Sequence, residues 1–392
     1  MSVKYHELAP SNNASSFSQF DSIDFELQAP GRKLLKNSIM FEYKIGQSAT
    51  PGTNTNGVVG SVALKTGSFA GPGNFGGLDH KVGYHGVCDS WTTTSAKLGM
   101  LENLNSYGRY VATISAATLD EGDMLNVFHQ AEGKALTQDG GCYKLQALRL
   151  RCKGTNAGAY TGIAKPLEAC FMPKICLNSM VGDDYSFNTN GSIRLSTVLS
   201  RTNNFVFGKG CGDGSSYSIR DVKLKFMTVD DDGKQGPMML NSVVSVKSAI
   251  NSNAASLSFR VPAKSCNGVV MNFIQQNREN TAVDNSYALE NLPNLNSLQM
   301  LFSSSTSQGI SYEILDKGEM IKNGVKALSE SGHSQVSATK IAVNNGLLIG
   351  QSFEDYLDLS SQPFSVNIQH DAPDISANPR LVYMYFLNLI EA

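Results

Sequence analysis

The chain has 392 residues, and its 32 basic and 34 acidic side chains leave a formal net charge of −2. This length suits two β-domains of roughly 150–200 residues each, and the balanced charge excludes the strongly basic surface that binds nucleic acid or anionic membranes. No apolar stretch approaches the roughly 20 residues that span a bilayer, and the first residues lack the apolar core of a signal peptide. We therefore expect a protein that is made and kept in the cytosol until it is assembled or released.

The start of the chain predicts an arm followed by strands. Residues 1–20 are polar and show no periodicity, which predicts an N-terminal arm that only a partner orders. Ile23, Phe25 and Leu27 then alternate with polar residues, and this period of two predicts a half-buried strand. A second apolar run covers residues 34–45.

The rest of the first half predicts an exposed excursion and further short strands. Residues 46–78 are rich in Gly, Thr, Asn and Ser and are too long for a tight hairpin, so we expect an exposed excursion. The strands predicted after it are Tyr107–Ala116, Leu145–Cys152, Ala169–Leu177 and Ile193–Leu199.

The sequence GKGCGDGSS at residues 208–216 is the clearest compositional break in the chain. Gly-rich segments of this kind commonly connect domains, so a domain boundary is predicted there. The predicted units are an N-terminal arm at 1–20, a first β-sandwich at 21–208, a linker at 209–216 and a second β-sandwich at 217–392.

The second half repeats the strand pattern and adds one helix. Asp316 and Glu319 resemble a capping pair, and the apolar residues after them fall at helical spacing, which predicts a helix at 317–330. A shorter helix is predicted between Asn285 and Leu292. The predicted strands are Tyr217–Val229, Ser242–Ile250, Leu257–Val261, Val269–Ile274, Leu298–Phe302, Phe364–Gln369 and Leu381–Leu389.

Two loop motifs are weak candidates for ligand binding. The glycines of 208–214 suggest a phosphate-binding loop, but the GK[ST] ending and a following helix are missing, so a flexible connection is favoured. The run Asp230–Gly233 could offer carboxylates to Ca²⁺, but it lacks the alternating ligand spacing and the distal Glu. A solvated hairpin turn is the better prediction for it.

The histidines, serines and cysteines do not form a recognisable catalytic or metal-binding set. His80 and His85 lie near Asp79 and Cys88, but no third or fourth ligand completes a site at usual spacing, which favours surface or loop histidines. No GxSxG motif is present. We therefore predict no enzyme activity, no catalytic, cofactor-binding or metal-binding residues, and no cofactor.

The 7 cysteines are odd in number and include no CxxC pair, which predicts reduced, mostly buried small hydrophobic side chains. They are Cys88, Cys142, Cys152, Cys170, Cys176, Cys211 and Cys266. The one local basic cluster comprises Arg32, Lys33 and Lys36, and its turn-then-strand context predicts a solvated edge that discourages strand addition.

Four stretches of the chain, taken in order, resemble a known family. They are FELQAPGRKLLKNSIMFEYKI (25–45), GSIRLSTVLSRTNNFVFG (191–208) with YSIRDVKLKFMTV (217–229), GLLIGQSFEDYLDLSSQPFSVNIQ (346–369) and LVYMYFLNLIEA (381–392). This sequence resembles the double jelly-roll major capsid proteins of tailless icosahedral double-stranded DNA viruses, an adenovirus-like lineage with bacteriophage and virophage-like members.

The resemblance implies a mainly β protein in which two antiparallel eight-stranded jelly rolls lie in one chain with short inserted helices. Three chains would form a pseudo-hexameric capsomer of the viral shell, with tower loops outward and the terminal arm inward. The implied partners are the protein itself, neighbouring capsomers, vertex or minor capsid proteins, and an inner membrane reached by the arm, without sequence-specific nucleic acid. The implied location is the virion, after assembly in the host cytoplasm.

Two other functions remain open at this stage. A minor, vertex-forming (penton) capsid protein with one jelly roll and a second domain would share several of these features. A carbohydrate-binding or adhesin-like β-sandwich protein is the alternative from another class, although such a protein normally carries a signal peptide.

Overall fold

The protein is mainly β, with a few short helices. A computed structural model describes residues 2–45, 58–59, 62–63, 78–119, 132–134, 153–155, 159–161, 167–205, 217–234, 236–279, 281, 285–289, 295–302, 310–314, 317–333, 335–343, 348–361 and 363–391.

Several strands before residue 231, such as Ser22–Leu27 and Met40–Ile45, alternate buried with less buried side chains. The strands in this part of the chain are β1 (Val3–Leu8), β2 (Ser16–Ser18), β3 (Ser22–Leu27), β4 (Arg32–Leu34), β5 (Met40–Ile45), β6 (Val58–Val59), β7 (Val62–Ala63), β8 (Cys88–Ser95), β9 (Gly99–Asn105), β10 (Lys153–Thr155), β11 (Ala159–Thr161), β12 (Leu167–Phe171), β13 (Met180–Gly182), β14 (Tyr185–Ser186), β15 (Ile193–Leu199) and β16 (Ser218–Asp230).

The later strands are longer on average. They are β17 (Met238–Ile250), β18 (Ala254–Phe259), β19 (Cys266–Gln275), β20 (Leu295–Phe302), β21 (Ile310–Ile314), β22 (Ile349–Leu357), β23 (Phe364–His370) and β24 (Arg380–Glu391). The α-helices are α1 (Tyr107–Thr118), α2 (Phe187–Asn190), α3 (Thr202–Phe205), α4 (Lys317–Glu330) and α5 (Ala338–Val343). No helix in the described ranges is long and apolar enough to cross a membrane.

One nine-stranded sheet runs through the whole molecule. Its order is β22-β19-β24-β17-β9-β8-β15-β3, with β13 paired to β17. A seven-stranded sheet has the order β12-β5-β16-β4-β14, with β1 and β2 both on β16, and a four-stranded sheet has the order β18-β23-β20-β21. The nine-stranded sheet therefore belongs to two sandwiches.

The two sandwiches have their cores on opposite faces of this shared sheet. In β24, Tyr383 and Tyr385 belong to the core that also includes the seven-stranded sheet, where Tyr385 contacts Tyr110 of α1. Their neighbours Met384 and Phe386 belong to the core under the four-stranded sheet. Successive side chains of a strand point to opposite faces, so one strand serves both cores. This explains why nine consecutive residues of β24, Arg380 to Asn388, are buried.

Several predicted elements are confirmed. Strand β15 has the predicted bounds, β23 begins at the predicted Phe364, and α4 covers the predicted 317–330. The helix α4 ends as its sequence indicates, because Gly332 takes a left-handed φ of 86° while the His333 N–H donates to the Leu328 carbonyl at 3.1 Å.

The predicted strand at Tyr107–Ala116 is wrong, because this segment forms helix α1. Its aromatic and β-branched residues favour a strand locally. The helix is buried on nearly every side, from Tyr107 to Ala117, so it lacks the apolar stripe that identifies a surface helix. The predicted strand at 145–152 lies outside the described residues. Of the helix predicted between Asn285 and Leu292, residues 285–289 are described and form a turn, in which the Ala288 N–H donates to the Asn285 carbonyl at 3.2 Å, so the prediction is wrong for this part.

The N-terminal segment is ordered by its own chain, which corrects the expectation that only a partner orders residues 1–20. Val3–Leu8 and Ser16–Ser18 pair with one edge of β16, and Phe17 is 3% exposed. Between these strands, the Ser11 N–H donates to the Asp24 carbonyl at 2.7 Å, at the free edge of β3. Main-chain pairing of this kind needs no hydrophobic periodicity, which is why the sequence did not indicate it.

The strand pairing favours a different division of the chain from the one predicted at 209–216. We expected the second sandwich to begin at residue 217, but Ser218–Asp230 pairs with β5 and β4 in the seven-stranded sheet. The connection between the two sandwiches is then residues 231–237. The predicted linker lies outside the described residues.

Candidate functional site

The residues of the candidate motifs make contacts with other side chains inside the fold. His85 is fully buried, so the expectation of a surface or loop histidine is wrong for it. Its Nδ1 lies 2.7 Å from the Tyr107 hydroxyl, and its Nε2 lies 3.5 Å from a carboxylate oxygen of the buried Glu132. Burial lowers the pKa of His85 to about 4, so the ring is neutral at pH 7. The neighbouring Lys134 completes an interior ion pair with Glu132 at 3.1 Å.

His80 does not join this cluster. Its Nδ1 lies 3.9 Å from the Asp79 carboxylate, which accepts the N–H groups of Lys81 and Val82 at 2.8 Å each and so begins the turn at 83–87. Among the described residues, no group of three or more His, Cys, Asp or Glu side chains could hold a metal ion. Cys88, Cys176 and Cys266 are free and buried, and Cys170 is free and half-buried.

The aspartates of 230–232 are satisfied by neighbouring side chains. Asp230 accepts from Arg32 at 2.7 Å, and Asp232 lies 3.0 Å from the ammonium of Lys33. The predicted hairpin turn is wrong in one respect, because β16 and β17 lie in different sheets. Lys33 is only 6% exposed, so the expected solvated basic edge is instead part of an ion-pair network.

Helix α1 is the main feature that joins the two sandwiches, and the sequence did not indicate it. Arg109 is 2% exposed and donates to Asn272 Oδ1 in β19 at 3.2 Å and to the Ala288 carbonyl at 3.0 Å. Its guanidinium lies 4.6 Å from the centre of the Tyr383 ring in β24. A buried arginine is stable only when its donors are satisfied, so α1 is fixed against the second half of the shared sheet.

The shared sheet itself is joined at its centre by side chains. Strands β9 and β17 are parallel and share one backbone register pair, Asn103 with Val244. Glu102 in β9 accepts the N–H groups of Val243 at 3.1 Å and Cys176 at 2.9 Å, and burial raises its pKa to about 8. On the other side, the Ser242 hydroxyl donates to the Leu101 carbonyl at 2.6 Å. These contacts hold the two sandwiches in one fixed arrangement.

The outer surfaces carry exposed apolar side chains that lie outside both hydrophobic cores. Tyr5 in β1 is 59% exposed and lies opposite Met227 in β16, which is 37% exposed. In the shared sheet, Tyr356 in the edge strand β22 is 59% exposed. Single exposed apolar side chains are normal on protein surfaces, whereas contiguous apolar patches mark contacts with other molecules.

Two antiparallel sandwiches in one chain, joined through a continuous sheet and accompanied by short helices, make up a double jelly-roll fold. The fold class expected from the sequence is therefore confirmed.

Comparison with solved structures gives the same fold over the full chain. The Faustovirus major capsid protein matches with a TM-score of 0.59 and 8% identity, covering 100% of this chain and 90% of that chain. The mavirus major capsid protein matches with a TM-score of 0.49 and 8% identity, covering 99% and 90%. The STIV major capsid protein matches with a TM-score of 0.47 and 8% identity, covering 100% and 97%. No protein-family model matches the sequence, and no characterised protein matches it by sequence.

Proposed function

We propose that this chain is the major capsid protein of an icosahedral virus, with a structural and not a catalytic role. The observation that carries the proposal is the fold shared with the Faustovirus major capsid protein over 100% of this chain and 90% of that chain. A vertex protein with a single jelly roll is disfavoured, because both halves of this chain form sandwiches that share one sheet.

The fixed junction supports assembly into trimeric, pseudo-hexameric capsomers. Three copies supply six sandwiches, and a regular six-sided ring needs the same angle within each chain and between chains. The buried contacts of Arg109 and Glu102 fix the angle within the chain. The chain then acts as a rigid unit whose outer ends contact other copies.

The ends of the sandwiches differ, which gives the unit a polarity. The Ser2 N–H donates to the Asp230 carboxylate at 2.8 Å, and Glu391 pairs with Met239, so the described chain begins and ends at one end, here called the terminal end. At the opposite end the chain leaves β5 at Ile45. It returns into β12 at the same end, where Leu167 pairs with Ile45. The proposal places the terminal end inside the shell and the end at Ile45 and Leu167 outside.

The further partners follow from this orientation. Neighbouring capsomers contact the sides of the ring, vertex proteins contact the capsomers that surround a fivefold axis, and an inner membrane would face the terminal end. The balanced charge of the chain, −2, fits a shell closed by many weak polar and apolar contacts and does not fit nucleic-acid binding. Assembly in the host cytoplasm is part of the same proposal.

The test is the mass and shape of the purified protein. Light scattering across a dilution series should give three times the chain mass of 42.2 kDa, and negative-stain electron microscopy should show particles with a six-sided outline. A stable monomer at micromolar concentration would refute a self-assembling capsomer, and a stable pentamer would assign the chain to the vertex instead.

A further inference from the structure

A cavity opens at the junction between the two sandwiches, and both halves of the chain line it. It has a volume of about 430 Å³. The first half contributes Glu102 of β9, Tyr110 of α1 and Lys174 of the segment after β12. The second half contributes Val243 of β17 and His333, which lies beyond the C-terminal end of α4. Cavities of about 300–1,000 Å³ commonly hold small molecules, so one ligand at this place would contact both sandwiches.

The cavity has an exposed mouth and a buried apolar base. The exposed residues that form the mouth are Asn37, Val181, Gly332 and Gln335. The buried apolar side chains that form the base are Ile114, Ile175, Met180 and Val243. A small molecule can therefore enter from solvent and remove an apolar part from water against the base, which is a favourable transfer.

Lys174 is the one lysine or arginine among the described residues that line the cavity. Its backbone N–H donates to the Tyr107 hydroxyl at 2.9 Å, which fixes the position from which the side chain extends. Burial lowers the pKa of the Lys174 ammonium, and the charge of Lys134 lowers it further. Glu132, which already pairs with Lys134 at 3.1 Å, opposes this effect more weakly. A desolvated charge without its own counter-ion is costly, so an anion beside Lys174 would be stabilised.

The carboxyl and imidazole groups of the lining do not cancel this positive charge. The carboxyl oxygens of Glu102 accept two backbone N–H groups, and burial raises its pKa to about 8. Burial lowers the pKa of His333 to about 4, with a contribution from the charge of Lys174. The His333 Nε2 lies 3.1 Å from the Tyr110 hydroxyl. At pH 7 the glutamate and the histidine are mostly uncharged, so the described lining carries a net positive charge beside an apolar base.

We propose that this cavity binds an aliphatic monocarboxylate, with its carboxylate beside the Lys174 ammonium and its hydrocarbon chain against the buried base. An ammonium and a carboxylate form a charge-assisted hydrogen bond, and the hydrocarbon chain matches the apolar side chains around it. A small inorganic anion would leave the base empty, and an uncharged aliphatic molecule would leave Lys174 without a counter-ion. The ligand would contact β9 and β17 and so stabilise the junction. This site goes beyond the proposed function, because ligand binding does not depend on assembly.

Three probes separate the charge of the ligand from its apolar chain. Octanoate has both, octanol has only the apolar chain, and acetate has only the charge. In thermal melts of the full chain, saturating octanoate should raise the melting temperature by about 2 °C or more, because it binds the folded state. By isothermal titration calorimetry, octanol and acetate should each bind about tenfold or more weakly than octanoate. Octanoate that does not bind at millimolar concentration, or binds no more tightly than either other probe, would overturn the proposal.

Substitution of Lys174 tests the role of its charge. Lys174→Met keeps an apolar side chain of similar length and removes an uncompensated charge, so the protein should stay folded. It should weaken octanoate binding about tenfold or more and leave octanol binding unchanged. Lys174→Gln, a second neutral variant, should show the same loss.

The matched control is Lys36→Met. Lys36 is an exposed lysine next to Asn37 at the mouth, and its Nζ donates to the Gly182 carbonyl at 3.1 Å. This variant should bind octanoate as the wild type does. Unchanged octanoate binding in both Lys174 variants, or an equal loss in Lys36→Met, would refute the role of Lys174 and overturn the proposal.

Discussion

Replacing Glu102 by Gln should change how the stability of the protein depends on pH. In the folded chain, burial raises the pKa of this carboxyl from the ordinary 4.5 to about 8. The folded state therefore favours the protonated form. The stability that this group contributes is fully present below pH 4.5 and is lost as the pH rises towards 8.

The expected size follows from the two pKa values. A tenfold difference in proton affinity is worth about 1.4 kcal/mol, so the range from 4.5 to about 8 corresponds to a loss on the order of 5 kcal/mol in the wild type. A glutamine does not ionise and removes this loss. The glutamine side chain has one acceptor oxygen, whereas the two carboxyl oxygens of Glu102 accept from the Val243 and the Cys176 N–H groups. Glu102→Gln should therefore lower the free energy of unfolding by about 1–3 kcal/mol at pH 5.

Urea unfolding at fixed protein concentration, at pH 5, 7 and 8.5, measures both effects. Glu102→Gln should be less stable than the wild type at pH 5, and the difference should shrink or reverse by pH 8.5. Glu319→Gln, at an exposed position in α4, is the control and should track the wild type throughout. A constant difference between Glu102→Gln and the wild type across this range would show that the carboxyl does not titrate with folding.

Two further substitutions test other parts of the fold. Gly332→Ala should lower the free energy of unfolding by about 1–3 kcal/mol in urea titrations, because φ is 86° and the new Cβ would lie 2.6 Å from Asn241 Nδ2. Gly233→Ala has a φ of 72° with open space around it and should cost only about 1 kcal/mol. His85→Gln should remove a stability loss on the order of 3 kcal/mol between pH 6.5 and 4, because the pKa of His85 is lowered to about 4. Thermal melts between pH 6.5 and 4 measure this loss of stability, and the control substitution His80→Gln should leave it unchanged.

Alternation along single strands accounts for most of what the sequence could predict. The predicted bounds of strand β15 are correct because its buried residues alternate with exposed or half-buried ones. The buried residues are Ile193, Leu195, Thr197 and Leu199. Helix α4 was placed correctly because it is a surface helix with a buried stripe that includes Met320 and Leu328. In both elements one face is buried and the other is at least partly exposed to water, so the spacing of apolar residues in the sequence matches the burial of side chains in the structure.

The sequence could not indicate features that depend on long-range contacts. Helix α1 is buried all round, so its tyrosines and valine resemble a core strand. The joint between β9 and β17 depends on Glu102, whose charge in a strand context normally indicates solvent.

The N-terminal segment explains how the chain closes its own first sandwich. Its strands β1 and β2 cover the edge of β16, and Ser11 covers part of the edge of β3, so the first sandwich is sealed on the side away from the second. The outer edge of β1 then becomes the free edge of the seven-stranded sheet. Charged side chains at a free edge discourage strand addition, and β1 carries the exposed Lys4 and Glu7 beside the exposed Val3 and Tyr5. The charged side chains of β1 therefore protect this edge against strand addition, so the N-terminal segment both closes the first sandwich and ends its sheet.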